Sequence, residues 1–448
     1  MMNSAFAYGA TRDDPVPDPT VALVMGGSGQ PIPPESLVDA VNNLYIQPNF
    51  PGAVPQALFT PEGLYPYTGV KDLTLDQSVS EGVTILDDTI TQQIAAGNNV
   101  VVSGISQSAL VASLGMEQLD PSGTPSDLPV SFVLIGDPMN PNGGFFERFV
   151  GLTLPSLGLT FYGATPADDF PTTIYTLEYD GAADFPQYPI DLPADLNALA
   201  GFLYVHGTYL DLTPAQLATA IELPKEGPTL TTYYMIPVQN LPLLDPLRQI
   251  PIVGNPFADL IQPDLTVIVN LGYGSITDGW SQGPANVPTP FGLFPTNVSP
   301  IAVLEALGTG AQQGVQAAMA DIGSSSLALP SLSEPLSLVT TALSGTATSP
   351  AALLSSPTDI LNTLISVVST DYAVLLPTAD IALAAITSIP AYDASLFVTG
   401  LQAGNLLNAV GDPVAADLGL GTFGVGLEAL VLLDPVQTTI SGLAGLIP

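Results

Sequence analysis

The sequence predicts an α/β fold with a largely parallel sheet covered on both faces. Three observations carry that expectation. Short apolar runs end at glycine turns, stretches of helical period alternate with those runs, and one strand–helix junction holds a Gly-x-Ser-x-small turn.

Taken in order, residues 1–20 have no periodicity, and Arg12 to Pro19 carries three prolines, so this stretch reads as a disordered lead-in. Val21 to Met25 is an apolar run stopping at Gly26-Gly27-Ser28-Gly29, the pattern of a buried strand meeting a turn. Glu35 to Tyr45 has helical spacing in Leu37, Val38, Val41, Leu44 and Tyr45. Asp76 to Ala96 is a longer amphipathic helix with Val79, Val83, Leu86, Ile90 and Ile94 on one face, closed by Gly97-Asn98. Val100 to Val102 is the next strand, and Ser108 to Leu119 the helix after it. Val130 to Ile135 and Thr173 to Tyr179 are further strands, ending at Gly136-Asp137-Pro138 and Asp180-Gly181.

Residues 225–300 are rich in proline and aromatics, suited to extra strands or a lid over the sheet's carboxyl edge. Beyond about Pro300 the composition shifts to Ala, Leu, Ser, Thr and Gly, with Ile360, Leu361, Leu364, Ile365 and Val368 at helical spacing. Gly or Pro interrupts every fifteen or so residues there, which predicts short helices and loops. The expected division is therefore a lead-in over 1–20, a main domain over 21–300 and a low-charge extension over 301–448.

Composition narrows the chemistry. Charged residues are 10% of the chain, against ~25% in an ordinary soluble protein. With 41 acids and five bases the formal net charge is −36, which excludes nucleic acid as a partner and disfavours anionic headgroups. The last 200 residues hold no base at all. The most apolar stretch, Ala373 to Ile389, is broken by Pro377 and Asp380 and reads as packing rather than a membrane span. No basic n-region followed by an apolar h-region occurs in Met1 to Asp18, so no Sec leader is read there. With no cysteine and one histidine, thiol catalysis and Cys/His zinc sites lack their ligands, and no EF-hand-type loop occurs. No metal or cofactor is expected.

Gly104-Ile105-Ser106-Gln107-Ser108, between a strand and a helix, has the form of a nucleophile elbow, with Ser108 where most such turns have glycine. An activated serine needs a neighbour that titrates near neutrality, and His206 is the one imidazole in the chain. A glycine beside it, in Tyr204 to Tyr209, suits a loop histidine. The elbow aims the backbone N–H of Gln107 at a substrate oxyanion, and Gly26 to Gly29 is placed to add a second donor at Ser28 or its neighbours. A phosphate cradle there would need a following Lys-Ser/Thr, which is absent. The acid belongs between Ser106 and His206 in chain order. Asp184, in the Gly-x-x-Asp-x-Pro run from Gly181 to Pro186, is the first choice; Asp180 and Asp137 are the alternatives.

At these residues the chain resembles the PE-PPE C-terminal domain family of mycobacteria, serine α/β-hydrolases related to cutinases and lipases. The resemblance runs over roughly residues 20–300. It includes Met25 to Gly29, Thr60 to Pro66, Gly104 to Ala109, Ile135 to Gly144, Tyr179 to Pro186 and, more weakly, Gly283 to Pro290. It implies an α/β-hydrolase fold, esterase activity on fatty acyl esters, and a triad with its nucleophile at Ser106, its base at His206 and its acid within Asp180 to Asp184. It implies secretion or envelope association, expected to be peripheral, although neither a Sec leader nor a PE or PPE module is read ahead of the first strand. The expected function is a serine esterase or lipase. The alternatives are an acyltransferase loading acyl chains onto envelope glycolipids, and a non-catalytic envelope interaction protein whose binding part is 301–448.

Overall fold

Strand β1 (Thr20–Val24), helix α1 (Glu35–Val41) and strand β2 (Val54–Ala57) open the chain. They are followed by α2 (Leu75–Ala95), β3 (Asn99–Ile105), α3 (Gln107–Leu119) and β4 (Val130–Ile135). The short helix α4 (Phe145–Arg148) leads to a small antiparallel pair, β5 (Thr153–Leu154) and β6 (Leu159–Thr160), before β7 (Thr172–Leu177) and α5 (Leu192–Tyr204). A 3-10 turn over His206–Asp211, α6 (Pro214–Leu217), β8 (Ile221–Glu222) and β9 (Thr231–Ile236) complete the sheet region. Helices α7 (Asp245–Arg248), α8 (Gly254–Leu271) and α9 (Pro300–Ser324) come next, then α10 (Leu375–Leu383), α11 (Ile389–Gln402) and α12 (Leu406–Ala444). These elements come from a computed structural model, which describes residues 19–324, 369 and 374–444. The lead-in expected over 1–20 lies almost wholly outside the described residues, as does the helical spacing from Ile360 to Val368.

The seven-stranded sheet has the order β2-β1-β3-β4-β7-β9-β8. Every pairing is parallel except that of β8 with β9. Both faces are buried, so the strands read as continuous apolar runs. Val21, Leu23, Val100, Val102, Phe132 and Leu134 face one core with Val79, Val83, Leu86 and Ile90 of α2 and Leu110 and Met116 of α3. The alternate residues Ala22, Val24, Val101, Val133 and Ile135 face the other, against Leu37, Val38 and Val41 of α1. A capping box at Thr74 and Gln77 starts α2 one residue ahead of the expected Asp76.

The C-terminal helices are longer than their glycine content predicts. Helix α9 has 25 residues and α12 has 39. Their glycines are contact points rather than stops: a Cβ on Gly314 of α9 would lie 2.0 Å from the Leu260 carbonyl oxygen of α8, and one on Gly426 of α12 would lie 2.4 Å from Leu199 of α5. Close packing offsets the ~1 kcal/mol that each interior glycine costs a helix. The Pro- and aromatic-rich stretch also resolves into regular parts. It supplies β9, α7 and α8, then a strap in which Ser281 and Thr289 accept hydrogen bonds from the fully buried Arg148.

Candidate active site

The carboxyl ends of β1, β3, β4 and β7 lie side by side, and the turns leaving them carry the polar groups named from the sequence. Open parallel sheets bind ligands at this edge. Ser106 follows β3 directly and has φ 55° and ψ −117°, a left-handed strain worth ~1–3 kcal/mol in a non-glycine residue. Gly104 permits the turn: a Cβ there would lie 2.5 Å from the carbonyl oxygen of Ser108. The Ser108 hydroxyl is 2.8 Å from the N–H of Ile105, and so braces the bend from inside.

His206 begins the 3-10 turn after α5. Its Nε2 lies 2.7 Å from Ser106 Oγ, and its Nδ1 lies 2.8 Å from both carboxylate oxygens of Asp180. Asp180 is fully buried, and burial alone would raise its pKa. The charge and hydrogen bond of His206, with the Tyr209 hydroxyl and the Ala182 N–H, outweigh burial and hold the carboxyl below its usual range. An ionised carboxylate only accepts, so Nδ1 carries a proton; when the imidazole is neutral, Nε2 is then the acceptor for the serine hydroxyl.

The structure does not bring the first-choice acid to this chain. Asp184 sits one turn beyond Asp180, in a turn closed by the Asp184 N–H donating to the Asp180 carbonyl over 2.6 Å. That turn carries its side chain back to the segment just after β7, where Oδ2 accepts from the Tyr179 N–H at 2.9 Å. Burial pushes its pKa well above the usual range, the Tyr179 N–H opposing only in part. Asp137, the other alternative, is also elsewhere: it accepts from the Met139 N–H at 2.9 Å and the Thr165 hydroxyl at 2.6 Å. Burial raises it to about 6.

Gln107 and Ser28 meet. The Ser28 hydroxyl donates to Gln107 Oε1 at 2.8 Å, and Gln107 Nε2 donates to the Gly63 carbonyl and the Ser78 hydroxyl at 2.8 and 2.9 Å. A Cβ on Gly27 would be 3.6 Å from Ser106 Cβ, so the glycine turn lies directly against the serine. The Gln107 N–H lies in the first turn of α3, where the helix offers it no acceptor. The Thr60 to Gly63 segment braces this arrangement, because the Glu62 carbonyl accepts from the Gly29 N–H at 2.7 Å. Glu62 itself is fully buried, and burial pushes its pKa up to about 8 despite a hydrogen bond from Thr60.

Three residues around the site, Tyr209, Phe202 and Phe423, were not singled out from sequence. The buried Tyr209 hydroxyl donates to Asp180 Oδ2 at 2.6 Å and accepts from the Leu177 N–H at 2.9 Å. Gly136 makes room for its ring, since a Cβ there would be 2.8 Å away. Phe202 of α5 stacks on His206 with ring centroids 5.4 Å apart, and Phe423 of α12 packs edge-on against Phe202 at 5.7 Å. Tyr209 lies three residues beyond His206, a spacing that would have singled it out in a 3-10 turn; no sequence signal pairs Phe202 with Phe423. No cluster of three or more metal-ligating side chains occurs among the described residues.

Comparison with known proteins places this geometry in context. The PE-PPE domain is matched over residues 51–274. PPE28, a PPE family protein of Mycobacterium tuberculosis, is 48% identical over 463 residues, an alignment covering 100% of this chain and 70% of the relative. Esterase PE16 of the same organism is 51% identical over 291 residues, covering 64% of this chain and 54% of the relative. The SL1278 acyltransferase Chp1, also from M. tuberculosis, is 30% identical over 230 residues, covering 50% and 55%. The chain thus spans about half the length of the last two.

Proposed function

Because this chain belongs to the PE-PPE domain family and is similar to proteins named as an esterase and as an acyltransferase, we propose that it is a serine esterase acting on fatty acyl esters. The observation that carries the reading is the unbroken hydrogen-bond chain from Ser106 Oγ through His206 to Asp180. In this reading Ser106 Oγ attacks the acyl carbonyl while Nε2 of His206 takes its proton. Asp180 holds the imidazole tautomer and stabilises the imidazolium. The N–H of Gln107, with one from the Gly27–Ser28 turn, receives the oxyanion. His206 then returns the proton to the leaving alcohol, and water resolves the acyl-enzyme by the same route.

The Ser28 hydroxyl is the donor to Gln107, so in this mechanism it shapes the oxyanion turn while main-chain N–H groups make the contact. The same proposal assigns 21–300 to the hydrolase body and 301–448 to an extension, and puts the protein at the cell envelope. The resemblance to an acyltransferase supports a second reading, in which an acceptor hydroxyl replaces water at the acyl-enzyme. A panel of p-nitrophenyl esters of varied acyl length, run on wild type and Ser106→Ala, tests the first. Equal turnover by both proteins would refute it. Product analysis with a glycolipid acceptor separates the two readings.

A further inference from the structure

Helices α10 to α12 expose many large apolar side chains. Along α10, the π-helical turn Ala384–Ser388 and α11, the exposed apolar residues include Leu376, Leu383, Ile386, Phe397 and Leu401. Along α12 the exposed stripe is Leu407, Val410, Val414, Val425 and Leu432. Among the described residues of these helices Asp417, between Val414 and Val425 on the α12 stripe, is the one exposed carboxylate. Asp380 accepts from the Tyr65 hydroxyl at 2.6 Å, and its carbonyl accepts from Ser156 at 2.7 Å. Glu428 accepts from Thr378, and Asp393 and Asp412 are half-buried. A surface helix normally turns its charges to water and its apolar stripe to the core.

We infer that this face of the helical extension docks in plane on an uncharged lipid surface. Apolar stripes with a single exposed carboxylate among the described residues match the boundary between headgroups and hydrocarbon. The missing bases rule out attraction to anionic headgroups. A net charge of −36 opposes pairing with a second copy of the chain. Both helical stretches, Leu375–Gln402 and Leu406–Leu432, are long and apolar enough to cross a membrane. Yet Asp380 and Phe423 tie them to the body, and a crossing would carry half-buried carboxylates into hydrocarbon. Docking would set the face of α12 on lipid while Phe423 on the same helix touches Phe202, the ring stacked on His206. The surface therefore lies next to the candidate site, although its binding does not depend on the esterase reading.

The test is flotation of the full chain with phosphatidylcholine vesicles, compared with the variant L376Q/I386Q/V410Q/V425Q. Wild type should float, equally at low and high salt, and be released by alkaline carbonate. The variant should partition about tenfold or more weakly while keeping its circular dichroism spectrum and melting temperature. Because the chain has no cysteine, Val410→Cys can carry an environment-sensitive dye as an independent readout. Its emission should shift blue on vesicles, whereas the same dye on Ser122→Cys, on an exposed turn, should not. Wild type remaining unbound, a variant that floats equally, or no shift at Val410 overturns the inference. So would resistance to carbonate, the mark of a span, or a lipid-free dimer dispersed by the four substitutions.

Discussion

His206 Nδ1 lies 2.8 Å from both carboxylate oxygens of Asp180, while the carboxylate of Asp184, one turn on, faces the Tyr179 N–H instead. Two aspartates in one loop thus have opposite environments. Asp180 is held ionised by the imidazole, and Asp184 is pushed toward its neutral form by burial.

That contrast gives the sharpest prediction for activity. Asp180→Asn should lower kcat by about 10⁴-fold, the loss seen when a triad acid is neutralised. Asp184→Asn changes a carboxyl that meets the Tyr179 N–H rather than His206 and should keep most activity, as should Asp137→Asn. Steady-state kinetics on the three variants decides, and an inactive Asp184→Asn beside an active Asp180→Asn would reverse the assignment.

Ser106→Ala should abolish ester hydrolysis and fluorophosphonate labelling while leaving the melting temperature close to wild type, since the strained turn is unchanged. Mass spectrometry that locates the label on any other residue counts against the elbow. His206→Ala should be equally inactive, because no second imidazole exists in the chain.

In the proposed mechanism Tyr209 acts through Asp180, to which its hydroxyl donates. Tyr209→Phe removes a hydrogen bond to a charged group, and kcat should fall about tenfold with KM nearly unchanged. A change confined to KM would mean that Tyr209 shapes the substrate site rather than the acid.

Stability should favour acid. Burial pushes Glu62 up to about 8 and, helped by Asp191, Asp195 up to about 9, whereas unfolded carboxyls titrate at ~4. A raised folded pKa means that the native state binds the proton more tightly. The contribution is complete below the unfolded value and is lost as pH rises through about 8 and 9. The melting temperature should therefore drop by several degrees between pH 5 and 9. Glu62→Gln, which keeps a neutral side chain at the Thr60 hydroxyl, should flatten that slope. A melting temperature that climbs over this range contradicts the burial argument.

Much of the fold was legible because both faces of a parallel sheet are apolar and its helices carry one apolar stripe each. Those periods mark β1, α2, β3, α3 and β4 within a residue or three. Ser106 and His206 stood out for a different reason: a small-residue turn at a strand–helix junction, and the scarcity of imidazole. Strand β2 was missed because its edge position leaves Val54 and Ala57 exposed, without a buried pattern to read. The lengths of α9 and α12 were misjudged because glycine weakens an isolated helix but favours close contact between packed ones.

What the sequence by itself determined is this alternating architecture and the serine–histidine pair. Which aspartate meets the histidine was decided by tertiary structure alone. Asp180 and Asp184 are chemically identical, and one backbone turn, closed by the Asp184 N–H on the Asp180 carbonyl, sends their side chains to different places. The partnership of Phe202 with Phe423 is likewise tertiary. It joins residues more than two hundred positions apart, and their contact comes from the packing of α12 on α5 rather than from any local pattern.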